Sequence, residues 1–259
     1  MSKKQISKKK TNGGLAVMSE DMFASDAGAG VTDLASEDLA IPFIKIGQKM
    51  SDELDELNDA RPGDIFNSVT REVFKGEEGI RVINCAYSLV YVEWEPRESG
   101  RGAPYNIYSS SDPIPETTRG DDNKDYIRDG SGRYLERTAQ HYVLVLDEGG
   151  LTQQALLGMK ATQFKKSKQW NSAMRALKMR DAQGTMFVPP RFSHIWHLTT
   201  ASEENKKGKW HGWIIAKEGQ IEDPNLYAEA KHFADLVSKG SIKVQHVRED
   251  ESRDEDIPF

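Results

Sequence analysis

A single cysteine, Cys85, in 259 residues excludes an intrachain disulfide and any cysteine-based zinc site, and it fits a reducing compartment. No apolar run approaches the roughly 18 residues a membrane-spanning helix needs. The five lysines among residues 1–10 are followed by no apolar stretch of signal-peptide type, so a soluble, unexported protein with no membrane partner is expected. Signatures of nucleotide chemistry are missing as well: there is no Gly-rich loop ending in Gly-Lys-Ser/Thr, no Rossmann glycine fingerprint after a strand and no nucleophile elbow. ATP-driven function is therefore not expected. His194 and His197 stand three apart on an expected strand, which points them to opposite faces, so neither a metal site nor a cofactor is expected. The acidic pairs Asp121–Asp122 and Asp147–Glu148 lie in turn-like segments, where acids are common without binding magnesium.

What is present is strongly segregated charge. The chain carries a net charge of −6, yet residues 1–10 hold five lysines, residues 19–59 hold eleven acids against Lys45 and Lys49, and residues 249–256 hold six acids against Arg253. With these set aside, residues 60–248 have 27 basic and 24 acidic side chains, a mildly basic centre compatible with nucleic acid.

Residues 1–38, rich in Lys, Ser, Gly, Ala and Asp, are expected to be a flexible lead. A single domain is expected over 39–247, mainly β with helices. Its strands are expected at Ile65–Phe74, Ile80–Trp94, His141–Leu146, Leu151–Met159, Arg191–Thr200 and Lys209–Lys217, with turn residues between them. Residues 96–140, rich in Gly, Ser, Pro, Asp and Arg and interrupted by tyrosines, read as a flexible insertion or a flap over a ligand. Helical periodicity covers Thr162–Met179, with Trp170, Ala173, Met174 and Leu177 on one side and Lys165, Lys168, Arg175 and Lys178 on the other. A second helix is expected over Pro224–Ser238, stopped by Gly240.

Basic and aromatic residues together suit single-stranded nucleic acid, because every base offers a face on which a ring can stack. The segment Lys160–Arg180 carries seven basic residues and no acid: Lys160, Lys165, Lys166, Lys168, Arg175, Lys178 and Arg180. With Trp170, Arg191 and Lys209 these are the candidate DNA contacts, joined by the strand aromatics Tyr87, Tyr91, Trp94, Trp196, Trp210 and Trp213. Simple strand alternation puts Tyr87 and Tyr91 on one face with Cys85 and Leu89, and Trp94 on the other.

The sequence ends Asp254, Glu255, Asp256, Ile257, Pro258, Phe259, an acidic run before an apolar tripeptide. An aromatic ring beside a terminal carboxylate suits an apolar pocket with a basic rim. Ile41, Pro42 and Phe43 repeat the tripeptide internally, so terminal position carries the signal. This ending resembles the acidic tip of bacterial and phage single-stranded DNA-binding proteins. The resemblance covers about a dozen residues and implies an elaborated OB-fold-like five-stranded barrel with disordered termini. It implies a role in phage DNA replication, recombination and repair in the bacterial host cytoplasm. It further implies that residues 248–259 are a protein-interaction tail for replication and recombination partners such as a polymerase, a primase-helicase or a nuclease. A homodimer and strand annealing are compatible with it. The competing expectations are a metal-dependent nuclease or DNA-modifying enzyme, and an adaptor that binds proteins only.

Overall fold

The computed structural model describes residues 25–26, 29–30, 40–49, 51, 53–96, 104–206, 208–242 and 244. The chain divides into two units, residues 1–39 and 40–259. In the first, Ala29 N donates to Asp26 O at 3.0 Å. The rest of the expected lead and the whole expected tail, 248–259, lie outside the described residues.

The second unit is built on two long antiparallel strands, β4 (Ile80–Trp94) and β8 (Tyr134–Leu146), which pair along almost their full length. Both are dense in β-branched and aromatic residues, which suit a pleated surface packed on two sides. Around the end where β4 begins and β8 finishes the order is β13 (Gly208–Gln220), β12 (His194–Asn205), β4, β8, β9 (Thr152–Lys160). Strands β12-β4-β8-β9 thus stand in the 4-1-2-3 order of a Greek key, with β13 added by a hairpin. At the other end β4 exchanges β12 for β5 (Asn106–Ser109), and β8 exchanges β9 for β7 (Asp125–Ile127), which carries β6 (Thr117–Arg119). The eight strands form a curled antiparallel half-barrel.

A smaller sheet of β1 (Ile44–Ile46), β2 (Ile65–Asn67) and β3 (Val73–Phe74), with the short helix α1 (Glu53–Glu56), reaches from one rim to the other. At one rim Leu156 N donates to Pro42 O at 2.8 Å, and at the other the Gln48 amide exchanges bonds with the His211 backbone at 2.8 and 3.0 Å. Gly76 lies where this connection passes β12: a Cβ there would meet the Gly63 carbonyl and the Thr200 hydroxyl, so only glycine permits the approach.

Two apolar layers cover the sheet. On one face helix α2 (Phe164–Ala176) presses Trp170 and Met174 onto Val82, Val143, Leu157, Trp196, Leu198 and Trp213. On the other, α3 (Pro224–Ser238) presses Ala230 and Phe233 onto Ile83, Tyr142, Leu144 and Leu156. The Asp223 carboxylate caps α3 by accepting from Asn225 N at 2.8 Å, and Pro224 occupies its first turn. Among the described residues no helix is long and apolar enough to cross a membrane.

Four expectations change. The strand expected at 65–74 is a small hairpin, β2–β3, because Asn67 turns the chain by accepting from Val69 N and Thr70 N at 2.8 and 3.0 Å. Within 96–140, residues 104–133 carry β5, β6 and β7, and β8 begins seven residues before the expected His141. This insertion is tied to β4 by buried Glu93, which accepts from Tyr108 OH at 2.7 Å and pairs with Arg133 at 3.0 Å. Helix α2 stops at Ala176 because Leu177 is already extended and leads into a hairpin, β10 (Met179–Arg180) and β11 (Met186–Phe187). Finally, β4 carries a bulge between Asn84 and Ala86 that leaves Cys85 without a partner in β8. One extra residue reverses the alternation. Cys85 therefore packs in the α3 layer while Tyr87 turns to the α2 side, and the two do not share a face.

Candidate nucleic-acid interface

The bulge and α2 together assemble a basic aromatic face. Tyr87 pairs across the ladder with His141, and Tyr91 with Arg137, so both tyrosines and Arg137 point toward α2. On α2, Phe164, Lys168, Asn171 and Arg175 follow the i, i+4, i+7, i+11 spacing of one helical stripe. The Arg137 guanidinium lies 4.3 Å from the Phe164 ring centroid and the Lys168 ammonium 5.2 Å from the same ring. The far end is closed by Arg191, which donates to Asn171 Oδ1 at 2.9 Å and to Asn84 Oδ1 at 3.2 Å and lies 5.3 Å from the Tyr87 ring. Among the described residues none of Arg137, Lys168, Arg175 and Arg191 has a carboxylate within ion-pair distance. Four cations beside three aromatic rings are left electrostatically uncompensated, which is the arrangement a phosphate backbone with splayed bases would complete.

Arg191 is held by a buried polar chain. Because its guanidinium donates to Asn84 Oδ1, the Asn84 amide presents Nδ2 to His141 Nδ1 at 2.9 Å. His141 Nδ1 must then accept, so its proton sits on Nε2 and is donated to Ser167 Oγ at 2.8 Å. This is the wrong tautomer for activating a serine, and both Ser167 and His141 are fully buried. The Ser–His–Asn trio is therefore a support for Arg191. Burial, reinforced by the Arg191 charge, pushes the His141 pKa down to about 3. Burial also lowers the Arg191 pKa. His141 stays neutral in the fold, whereas the unfolded chain takes up a proton below its ordinary value of 6.5. The associated stability is complete above pH 6.5 and falls by up to about 1.4 kcal/mol per pH unit as the pH drops toward about 3. Denaturant unfolding between pH 6.5 and about 5, before carboxylates titrate, should show a slope of this sign, and His141→Gln should reduce it, leaving the part contributed by His194, whose pKa burial also lowers. Equal slopes would remove His141 as the cause.

The sequence candidates divide sharply. Tyr87, Tyr91, Lys168, Arg175 and Arg191 belong to the face, and Lys165 is exposed on the adjoining side of α2. Trp170, Trp196 and Trp213 do not: all are buried, with Trp170 stacked on His141 at 4.7 Å and edge-on to Trp196 at 6.0 Å. Their large rings fill the layer between the sheet and α2, so no base can reach them. Lys160, Lys166 and Lys209 are paired with Glu136, Glu203 and Glu204 at 2.7, 2.7 and 3.2 Å. Trp210 donates to Glu203 at 3.0 Å, and Trp94 sits under Lys160 on the opposite side of the sheet from Tyr91. Lys178 and Arg180 lie on the β10–β11 hairpin. Arg137, Phe164 and Asn171 escaped sequence reasoning. Arg137 fell in the expected insertion, and Phe164 and Asn171 gain meaning only from the chain packed beside them. The i, i+4, i+7, i+11 spacing from Phe164 to Arg175 was the available signal. The protein-interaction residues Asp254, Glu255, Asp256, Ile257, Pro258 and Phe259 lie outside the described residues. Among the described residues no three His, Cys, Asp or Glu side chains gather as metal ligands.

No curated protein and no solved structure matches this chain. Residues 9–243 match the model of a phage family described as Pam3 phage gp34-like protein. That span takes in the curled sheet, both packing helices and the whole basic aromatic face, and the chain belongs to the Pam3 phage gp34-like protein family.

Proposed function

We propose that this protein binds single-stranded DNA in phage replication, recombination or repair, holding the strand along Tyr87, Tyr91, Arg137, Phe164, Lys168, Arg175 and Arg191. The observation that carries the reading is the absence, among the described residues, of carboxylate partners for those four cations, when Lys160, Lys166 and Lys209 are each paired with a glutamate. Salt-dependent phosphate contacts and ring stacking would each find their chemistry there. The strand order supports an OB-type reading of the half-barrel: β4, β8, β9, β12 and β13 would be its five strands, with α2 between the third and fourth. In this reading the acidic ending, residues 248–259, recruits replication proteins and competes with phosphate for the same cations.

The test is fluorescence anisotropy of a labelled thymidine oligonucleotide titrated with the full chain and with a chain lacking residues 249–259, from about 50 to about 300 mM salt. Binding that weakens with salt is expected, and the shortened chain should bind more tightly at the low end, where the acidic segment screens the cations most. No binding by either chain near 50 mM salt sinks the proposal. Cleavage of the oligonucleotide on adding magnesium would replace it with the nuclease reading.

A further inference from the structure

We infer that the β10–β11 hairpin is a second nucleotide platform, continuous with the face described above and resting on the same single-stranded DNA reading. The hairpin leaves the end of α2 at Leu177 and returns to Arg191, so both its ends are anchored at that face. Its register pairs Arg180 with Met186 and Met179 with Phe187. Arg180 and Met186 thus share one side, and strand alternation brings Lys178 and Val188 to that same side. The result is a two-by-two surface with two cations along one strand and two apolar side chains along the other. Met186 and Val188 are 53% and 48% exposed, an unusual state for adjacent apolar positions. Neither Lys178 nor Arg180 has an ion-pair partner among the described residues. The neighbouring Asp181 carboxylate is turned into the loop, where it accepts from Gln183 N and Thr185 N at 2.9 and 2.8 Å.

This pattern matches one strand of nucleic acid better than a peptide or a second sheet. Alternate residues on a strand stand about 7 Å apart, close to the spacing of successive phosphates in an extended single strand. Lys178 and Arg180 would take consecutive phosphates while their bases lie across Met186 and Val188. Phe187, 40% exposed, faces the other side with Met179 and is left out of this contact.

Oligonucleotide length separates the two platforms. The full chain and the exposed double variant Met186→Gln/Val188→Thr are titrated with thymidine oligonucleotides of about 6 and about 16 nucleotides, within the range one such domain occupies. The longer probe is expected to lose about tenfold in affinity and the shorter one to change less than about twofold, the latter also reporting an intact fold. Lys178→Gln/Arg180→Gln should lower the salt slope for the longer probe by about 1.4 and leave that of the shorter one unchanged. Equal losses on both probes, or none on either, overturn the inference. So does a variant that keeps DNA affinity but loses binding of a synthetic peptide of residues 249–259. If the unaltered chain binds neither probe, the underlying DNA reading fails, an outcome distinct from failure of the hairpin alone.

Discussion

Replacing Arg137, Lys168, Arg175 and Arg191 together by glutamine is expected to lower affinity for single-stranded DNA roughly 100- to 1,000-fold at about 0.1 M salt. Each phosphate contact on a single strand contributes about 0.7 to the slope of log affinity against log salt, so four contacts contribute about 3. Across one decade of salt below 1 M that slope is the stated loss. The companion variant, with Lys160, Lys166 and Lys209 replaced by glutamine, removes nearly as much charge from side chains already paired with Glu136, Glu203 and Glu204. Its affinity should change less than about threefold, because each of these lysines has a glutamate beside it and the pair presents no net charge to a phosphate. Anisotropy titrations at four salt concentrations check both. Equal losses in the two variants would mean that bulk charge, and not this face, holds the strand. Arg191→Lys is an informative single change: it keeps the charge but cannot reproduce the fork that bonds Asn84 and Asn171, so the cation loses its fixed position.

Trp170→Ala is expected to cost about 3–5 kcal/mol of folding stability, a large share of the 5–15 kcal/mol typical of a domain. The ring is 2% exposed, stacks on His141 and meets Trp196 edge-on, so removing it opens a cavity beneath α2 and unsupports the polar chain that ends at Arg191. Trp170→Phe should be far milder, since the Trp170 indole N–H is buried without an acceptor among the described residues and its loss removes an unsatisfied donor. Thermal unfolding checks the ranking. If Trp170 were a base-stacking residue, the alanine variant would melt normally and lose affinity at every temperature. Here it should melt early, and DNA affinity measured well below its transition should fall no further than in Arg191→Lys, whose cation likewise loses its fixed position.

Periodicity served well where one element decided its own conformation. The stripe Leu226, Ala230, Phe233 and Val237 with its Gly240 stop marks α3, and Asp147 to Gly150 marks the β8–β9 turn. It failed where pairing with distant chain mattered. Tyr134–Gln140 reads as insertion because its polar residues hide a strand whose partners in β4, from Trp94 back to Ser88, are about forty to fifty residues earlier. The Cys85 bulge is also silent in sequence, and with it the side of the sheet on which Tyr87 and Tyr91 stand.

By itself, then, the sequence established a mainly β chain with two principal helices, a segregated charge pattern and a basic segment from Lys160 to Arg180, because composition and local spacing carry that information directly. Which of those cations stay uncompensated, and which aromatic rings stand at the surface, was decided only by tertiary structure. Both depend on what distant residues bring alongside: Glu136 and Glu203 neutralise Lys160 and Lys166, the sheet buries Trp170 and Trp196, and one unpaired residue in β4 turns Tyr87 toward Arg191.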